Sequence, residues 1–148
     1  MSLAELIPPE QVIIGLRANH KRQLLEELAR RAGAALSRDA AEILRVLNGR
    51  EQLGSTGLGR GFALPHARLP GLTRPFVMFA RLERPIDYEA VDGQPVDIAI
   101  LLLSPTDSSA EHLSTLAALS RPLREQSFMQ RVREARNATE LRAVMAAG

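Results

Sequence analysis

A histidine that directly follows a glycine-rich stretch is the residue of this sequence whose type and setting best suit chemistry. His66 stands in the segment Leu64-Pro65-His66-Ala67, immediately after the glycine-rich stretch 54–61. Imidazole titrates at about pH 6.5, so near neutral pH the ring is mostly uncharged and its free nitrogen is a nucleophile. Such a nitrogen can attack phosphorus and form a phosphoramidate, a covalent intermediate that stays reactive. A structural or exposed histidine is the alternative interpretation, and His66 alone does not decide between them.

The glycine-rich stretch 54–61 fits neither of two common nucleotide-binding motifs. In a P-loop a lysine would stand where this chain has Arg60, and in a dinucleotide fingerprint a glycine would stand where it has Phe62. The predicted order, a helix before the stretch and a strand after it, is also the reverse of both motifs. What remains is a loop whose backbone N–H groups, with the hydroxyls of Ser55 and Thr56, could surround an anion. A tight turn that needs positive φ angles is the alternative interpretation.

Two other residues could assist a reaction at His66. His112 falls in the first turn of a helix that a capping box, Ser108-Ser109-Ala110-Glu111, is predicted to open. That position favours a nearby anion and disfavours the charged imidazolium. Arg50, just before the glycine-rich stretch, could bind phosphoryl oxygens through its planar guanidinium. An exposed position is the alternative for both residues, and it is the prediction for the third histidine, His20.

The sequence offers little support for hydrolysis by a metal ion or by a catalytic serine. A zinc site needs three or more ligands at defined spacing, and no HExxH pattern or convincing third ligand accompanies the histidines. The G-x-S-x-G turn of a serine hydrolase is also missing. Because the chain contains no cysteine, disulfides, thiol catalysis and cysteine-bound metal sites are excluded. No metal is therefore expected at the site.

The charge balance does not predict a nucleic-acid-binding protein. The 19 lysines and arginines face 17 acidic residues, which leaves a net charge of +2. The sequence pI of about 9.9 reflects arginine side chains, which keep their protons, rather than a large excess of positive charge. With four phenylalanines, one tyrosine and no tryptophan, few rings are available to stack on bases. A solvated helix face is the favoured interpretation of one modest basic cluster: Arg121, Arg124, Arg131, Arg133 and Arg136.

Length and composition predict one globular domain over residues 1–148. The chain has 148 residues, of which 45% are hydrophobic and 24% charged, and this supplies enough apolar material for a core. No apolar run approaches the roughly 20 residues that cross a bilayer, so no membrane insertion is expected. Residues 1–10 lack the basic and apolar segments of a secretory signal. We therefore expect a cytoplasmic protein.

The elements that must position these residues alternate between strand and helix patterns. Two nearly continuous apolar runs, 76–82 and 96–103, are typical of strands covered on both faces. Val12-Ile13-Ile14 predicts a shorter strand. Turns between the two long strands are predicted from three signals: Pro85, Asp92-Gly93 and Pro95.

Apolar residues at helical spacing predict the helices. The first is expected to be capped by Asn19 and to end at Gly33, and the second to run from a Ser37 cap to about Gln52. The capping box opens another helix, and two more are expected at about 125–136 and 139–145. Together these patterns predict an α/β fold, a single domain with a mixed β-sheet flanked by helices on both faces.

Three segments around His66 carry a resemblance to a known family. Arg50-Glu51, residues 54–59 and Ala63-Leu64-Pro65-His66 resemble the signature of the mannitol/fructose-type (type-2) IIA components of the bacterial phosphoenolpyruvate-dependent phosphotransferase system. Other segments resemble its nitrogen-regulatory (PtsN-like) branch: Pro85-Ile86-Asp87-Tyr88, residues 92–97 and His112-Leu113. The likeness covers nearly the whole chain. Two positions depart from the pattern, Phe62, where an aliphatic residue is preferred, and Ala67, where glycine is usual.

The resemblance implies a phosphotransferase component that acts as a phosphoryl carrier and regulator. A histidine phosphocarrier protein of the HPr or NPr type would donate its phosphoryl group to His66, with His112 as the second active-site histidine. Arg50 would be a basic residue of the site, and Ser55 and Thr56 would line it. No cofactor is implied, because the incoming phosphoryl group is already activated. Downstream regulatory proteins would read whether His66 carries the phosphate.

Two alternatives stay open at this point. A sugar-specific (fructose or mannitol) IIA component would instead pass the phosphoryl group to a cysteine of a IIB domain. A non-catalytic protein-binding module would keep the fold while the histidine stays idle, and the departures at Phe62 and Ala67 are the only support for it.

Overall fold

The computed structural model describes residues 2–107 and 109–147. Its helices are α1 (Leu3–Leu6), α2 (Lys21–Leu36), α3 (Ala40–Glu51), α4 (Ser109–Leu123), α5 (Gln126–Glu134) and α6 (Ala138–Ala147). Its strands are β1 (Val12–Leu16), β2 (Gly57–Gly59), β3 (Phe62–Ala63), β4 (His66–Arg68), β5 (Phe76–Ile86) and β6 (Val96–Ser104). A short 3-10 helix, Pro9–Gln11, leads into β1. Among the described helices, none is long and apolar enough to span a membrane.

The strands form one mixed sheet in the order β1-β5-β6-β3-β2, and β4 also pairs with β6. β5 and β6 are antiparallel neighbours in the centre, while β1 runs parallel to β5. β3 and β4 both run parallel to β6 and pair with successive parts of it, residues 98–99 and 102–104. His66, the first residue of β4, therefore lies opposite Leu102, close to where β6 ends at Ser104.

Both faces of the sheet are covered by apolar side chains from helices. Alternate residues of β6 belong to two different clusters, because successive side chains of a strand point to opposite faces. Ala99, Leu101 and Leu103 pack with residues of α2 and α3. Ile98, Ile100 and Leu102 pack with residues of α1, α4, α5 and α6. The predicted fold class, a mixed sheet with helices on both faces, is confirmed.

The boundaries of α2 differ from the prediction at both ends. His20, which is exposed as predicted, caps the helix in place of Asn19, since its Nδ1 accepts a hydrogen bond from the backbone N–H of Gln23 at 3.2 Å. The helix continues through Gly33 to Leu36 and ends at Ser37, whose φ of 56° is left-handed. A β-carbon on Gly33 would lie 2.7 Å from the carbonyl oxygen of Arg38. The glycine is therefore needed because the chain after α2 passes close to Gly33, and it does not end the helix.

Two other local predictions differ from the structure, and a third falls on a residue outside the described part of the chain. Asp39, rather than Ser37, caps α3 through a hydrogen bond from the Ala41 N–H to its carboxylate at 3.0 Å. Pro85 lies inside β5 rather than in a turn, at an irregular part of the pairing where a missing N–H is tolerated. The predicted capping serine, Ser108, lies outside the described residues, and α4 begins at Ser109.

Candidate functional site

The ring of His66 is held in one tautomer by its two hydrogen bonds. Its Nδ1 lies 2.7 Å from the carbonyl oxygen of Leu64. A carbonyl oxygen only accepts, so Nδ1 carries the ring proton and donates it to Leu64. The Nε–H of Arg50 donates to His66 Nε2 at 3.2 Å. Nε2 is therefore unprotonated, and its lone pair is the nucleophilic end of the ring.

The surroundings of His66 favour the uncharged ring. The side chain is half-buried where β4 begins. Burial lowers the pKa of His66 below its ordinary value, and the positive charge of Arg50 lowers it further, while the hydrogen bond to Leu64 opposes the shift. The imidazole thus stays neutral, with a free lone pair, over more of the pH range than an exposed histidine would.

Arg50 joins this histidine to the glycine-rich stretch. It lies in the last turn of α3, and its Nη1 donates to the carbonyl oxygen of Gly54 at 3.0 Å while its Nε reaches His66. One planar guanidinium therefore bridges the helix end, the loop and the ring. The same group offers N–H donors of the geometry that phosphoryl oxygens accept.

His112 lies beside His66. Their ring centroids are 5.5 Å apart, with the ring planes tilted by 50°. His112 is 7% exposed, and its Nδ1 lies 2.6 Å from the hydroxyl of Ser104, the last residue of β6. Burial has the largest effect on the pKa of His112 and lowers it, and the neighbouring His66 and Arg68 lower it further. Two histidines that both favour the neutral form thus share one end of the sheet.

Comparison with known proteins identifies the family of the chain. A family model described as "Phosphoenolpyruvate-dependent sugar phosphotransferase system, EIIA 2" matches residues 5–147. The chain belongs to this family. Membership confirms the resemblance predicted from the sequence and a phosphotransferase role in general terms.

Similar proteins are named nitrogen regulatory proteins. One from Bradyrhizobium diazoefficiens is 42% identical over 146 residues, which cover 99% of this chain and 95% of that protein. The crystal structure of nitrogen regulatory protein IIA-Ntr from Neisseria meningitidis superposes with a TM-score of 0.90 at 31% identity, covering 97% of this chain and 98% of that one. These likenesses confirm the nitrogen-regulatory branch and the predicted role of phosphoryl carrier and regulator.

A more distant neighbour shares the fold. The mannitol IIA protein of Escherichia coli, solved by NMR in complex with phosphorylated IIB, has a TM-score of 0.77 at 16% identity. It covers 94% of this chain, and this chain covers 96% of it. The helix and strand arrangement is therefore common to the mannitol and nitrogen-regulatory IIA proteins.

The glycine-rich stretch of this EIIA protein is more ordered than the open loop that the sequence predicts. Residues 57–59 form β2, which pairs with β3 in a hairpin. The hairpin turns at Arg60 and Gly61, whose φ angles are 59° and 88°. Several of its N–H groups already have acceptors, including that of Thr56, which donates to Glu51 at 3.0 Å. The alternative of a turn with positive φ angles is the one that the structure supports.

The hydroxyls of Ser55 and Thr56 are engaged within this frame. The Ser55 hydroxyl donates to the carbonyl oxygen of Tyr88 at 3.2 Å and accepts from the Gly57 N–H at 3.1 Å. Thr56 is 1% exposed, and its hydroxyl donates to the carboxylate of Glu51. The structure thus brings Arg50 and His112 to His66, while the hydrogen bonds of the two hydroxyls are made to other groups.

Two polar residues of the site were missed by the sequence reasoning. Ser104 ends an apolar run, and nothing in the local pattern pairs it with His112, eight residues further along the chain. Arg68 stands two residues after His66 in β4, on the same side of the strand, and its charge lowers the pKa of His112. The alternation of side chains along a strand is the one signal that could have revealed Arg68.

The two departures from the family pattern lie in the apolar core. Phe62 is 3% exposed and packs in the cluster on the α4–α6 side, while Ala67 is 8% exposed and packs on the α2–α3 side. Neither substitution removes a polar group from the histidine pair. Among the described residues, no cluster of three or more histidine, aspartate or glutamate side chains could hold a metal ion.

Proposed function

We propose that this EIIA domain carries a phosphoryl group on Nε2 of His66 and signals through the presence or absence of that group. The observation that carries the proposal is the hydrogen-bonding pattern of the ring. Nδ1 donates to Leu64, and Nε2 presents its lone pair to a guanidinium donor. A neutral ring fixed in this way is a nucleophile that needs no general base.

The transfer balances without a proton leaving His66. The phosphorus–nitrogen bond of the donor phosphohistidine breaks as a bond forms between phosphorus and Nε2 of His66. A donor ring that is protonated at its other nitrogen departs as neutral imidazole, and His66 keeps the Nδ1–H that Leu64 accepts. The N–H groups of Arg50 then move from the Nε2 lone pair to the phosphoryl oxygens, where they offset the negative charge.

His112 would complete the site as a neutral donor. When the Ser104 hydroxyl donates to Nδ1 of His112, the ring proton resides on Nε2. That N–H can donate to a phosphoryl oxygen on His66, because the two rings are neighbours with centroids 5.5 Å apart. Catalysis then consists of positioning and of neutralising spread charge. Neither role calls for a metal or a nucleotide.

We propose a histidine phosphocarrier protein as the donor and downstream regulatory proteins as the readers, with the cytoplasm as the compartment. The nitrogen-regulatory relatives support this choice of readers. Phosphorylation places dianionic charge and strong acceptor oxygens beside Arg50, and this alters which partner surface fits. Transfer to a IIB domain is the second candidate, supported by the mannitol IIA neighbour, which was solved with phosphorylated IIB.

The test is a transfer assay with phosphoenolpyruvate, the first enzyme of the system and the histidine carrier. An acid-labile phosphoryl group should appear on the protein and should be absent from His66→Ala. The variant His20→Ala is the matched control and should label like the parent, because His20 caps α2 outside the site. NMR of the labelled ring should place phosphorus on Nε2. Labelling that persists in His66→Ala, or phosphorus on Nδ1, contradicts the proposal.

Adding a IIB protein separates the two candidates for the next step. A regulatory protein should keep its phosphoryl group when a fructose- or mannitol-type IIB domain is added. Rapid loss of the label, with the phosphoryl group appearing on a IIB cysteine, would instead favour the sugar-specific alternative.

A further inference from the structure

A buried carboxylate next to the site has a full set of partners and touches neither histidine through any described hydrogen bond. The side chain of Glu51, the last residue of α3, is 7% exposed. One carboxylate oxygen accepts from Lys21 Nζ at 2.9 Å and from the Thr56 N–H at 3.0 Å. The other accepts from the Tyr88 hydroxyl at 3.1 Å and from the Thr56 hydroxyl. Burying such a charge is costly unless hydrogen bonds and a counter-ion compensate it, and here both are present.

The counter-ion is the only lysine of the chain. Lys21 begins α2, and its side chain is 15% exposed. Besides pairing with Glu51, its ammonium lies 4.7 Å from the centroid of the Tyr88 ring, within the range of a cation–π interaction. Every other basic side chain apart from the histidines is an arginine, so this half-buried position holds the one compact, strongly hydrated side-chain ammonium of the sequence.

These contacts tie together four separate segments around the loop that carries Gly54. Glu51 links the end of α3 to the start of α2 through Lys21, to the loop through Thr56, and to the segment after β5 through Tyr88. We call the four residues Lys21, Glu51, Thr56 and Tyr88 the Glu51 frame. Burial raises the pKa of Glu51, but hydrogen bonds from Thr56 and Lys21 lower it, and the net result is a pKa below its ordinary value. The carboxylate is therefore charged at neutral pH.

The Glu51 frame encloses the residues that orient the nucleophile. Arg50 directly precedes Glu51, and the carbonyl oxygen of Gly54 that it binds lies between Glu51 and Thr56 in the chain. Because Glu51 holds both ends of this short segment, it limits where the Gly54 carbonyl and the Arg50 guanidinium can lie. Loss of the frame would let both move relative to His66, while the apolar core on either side of the sheet stays unchanged.

We propose that Glu51, with Lys21 as its counter-ion, is a positioning residue that keeps the Arg50 guanidinium on Nε2 of His66. It acts through Arg50 and the loop and does not touch the reacting atoms. The inference rests on the proposed phosphoryl transfer to His66, but its geometric part, the position of Arg50, can be measured without any transfer.

The test compares Glu51→Gln, Lys21→Met and the double variant with the parent protein. Glu51→Gln keeps the shape of the side chain and removes its charge, and Lys21→Met keeps an apolar stem without the ammonium. The matched control is Glu27→Gln on α2, which breaks an ion pair with Arg30 on the outer side of that helix. Thermal unfolding checks that each variant folds. The readouts are the titration of His66 followed by NMR and the rate of single-turnover phosphoryl transfer.

Glu51→Gln should slow transfer by roughly 10- to 100-fold, since small displacements of a catalytic group cost about this much. Two effects act on the pKa of His66 in this variant, because loss of the Glu51 charge lowers it and displacement of Arg50 raises it. Lys21→Met keeps the Glu51 charge, so in that variant displacement of Arg50 should raise the pKa of His66. Lys21→Met should slow transfer less, and its effect should vanish in the Glu51→Gln background if the two act as a unit. Glu27→Gln should match the parent in both readouts.

A folded Glu51→Gln protein with the parental transfer rate would overturn the proposal. If Glu51→Gln does not fold, Lys21→Met decides the question, and parental behaviour of that variant overturns it. If the parent itself accepts no phosphoryl group, the proposed function fails. The His66 titration of Lys21→Met then still decides whether the pair of Glu51 and Lys21 positions Arg50, because that variant keeps the Glu51 charge.

Discussion

The Nε–H of Arg50 donates to Nε2 of His66 across 3.2 Å. The guanidinium is positively charged, and the imidazole would be positively charged as well if Nε2 took up a proton. The contact is favourable only when the imidazole is neutral at Nε2, since a charged ring would place two cations together. Arg50 therefore selects the nucleophilic tautomer in the free protein, and in the proposed phosphorylated protein it would bind the transferred group. The same donor could serve both states, because the phosphoryl oxygens of the proposed intermediate would lie next to Nε2.

Substitution of Arg50 should separate these two effects. In Arg50→Ala the pKa of His66 should rise, since the guanidinium charge lowers it, and transfer should slow on the order of 100-fold because a charge-neutralising donor is lost. Arg50→Lys should recover only part of the rate, because an ammonium cannot bridge Gly54 and His66 with a planar fork. NMR titration and single-turnover transfer measure the two effects.

Arg45→Lys is the control for that experiment, since Arg45 lies exposed on the same helix. It should leave the rate and the His66 titration unchanged. A parental transfer rate in Arg50→Ala would remove Arg50 from the mechanism, whatever happens to the titration.

Removal of the Ser104 hydroxyl should affect both stability and transfer. Ser104 is 1% exposed, and its hydroxyl is the described partner of His112 Nδ1 at 2.6 Å. Ser104→Ala leaves a buried ring nitrogen without that partner, so the free energy of unfolding should fall by about 1–3 kcal/mol. Transfer should slow as well, because the tautomer of His112 is no longer fixed.

Ser120→Ala provides the comparison for Ser104→Ala. Ser120 is also buried, and the described hydrogen bond of its hydroxyl is to the Ala117 carbonyl within α4, at 3.3 Å. The free energy of unfolding, measured in urea, should fall by about 1 kcal/mol or less, and transfer should be unaffected. Equal effects of the two substitutions on the transfer rate would argue against a role for Ser104 at the site.

The part of the fold that the sequence predicts is the part with local signals. Residues 96–103 form a strand because a continuous apolar run can be buried on both faces. Arg50, the glycine-rich stretch and His66 likewise carry a recognisable pattern. The order of the strands in the sheet has no such local signal in the sequence. The pairing of both β3 and β4 with β6 depends on contacts between segments that are distant in the chain.

Two contacts that the sequence did not predict have the same cause. Ser104 and His112 meet because β6 ends where α4 begins, and Glu51 meets Lys21 because α2 and α3 pack together. The predicted helix end at Gly33 is wrong for a different reason. Glycine often follows a helix end because it tolerates left-handed φ angles, but here it fits a close backbone approach, and Ser37 takes the left-handed position.

The acid side of the pH profile should shift to lower pH than for an ordinary histidine. Burial lowers the pKa of both His66 and His112, so the neutral rings persist below about pH 6.5, the ordinary value. The transfer rate to His66 should therefore fall to half its plateau at a pH below that value. Single-turnover assays between about pH 5 and 8 test this, with a donor prepared in advance so that its synthesis does not limit the rate.

The lowered pKa values of His66 and His112 also predict how the free energy of unfolding changes with pH. The two histidines have lower pKa values in the folded chain than in the unfolded chain. Between these values the unfolded chain binds more protons, so the free energy of unfolding rises with pH there. The stabilisation is present above the unfolded pKa and is lost as the pH falls through it toward the folded pKa. His66→Gln and His112→Gln should each flatten this slope in urea unfolding. An unchanged slope in both variants would contradict the direction of the shifts.

Two helical glycines should respond in opposite ways to the same substitution. A β-carbon added to Gly49, inside α3, would meet no described atom within 4 Å apart from its chain neighbours and the nearby helix backbone. Gly49→Ala should therefore raise the free energy of unfolding by about 0.5–1 kcal/mol through helix propensity. Gly33→Ala would bring a methyl group to 2.7 Å from the Arg38 carbonyl and 3.3 Å from the Ala40 nitrogen, both backbone atoms that cannot rotate away. The free energy of unfolding should therefore fall, by about 1–3 kcal/mol. Urea titrations of both variants measure the difference, and stabilisation by Gly33→Ala would show that the turn between α2 and α3 is looser than the structure describes.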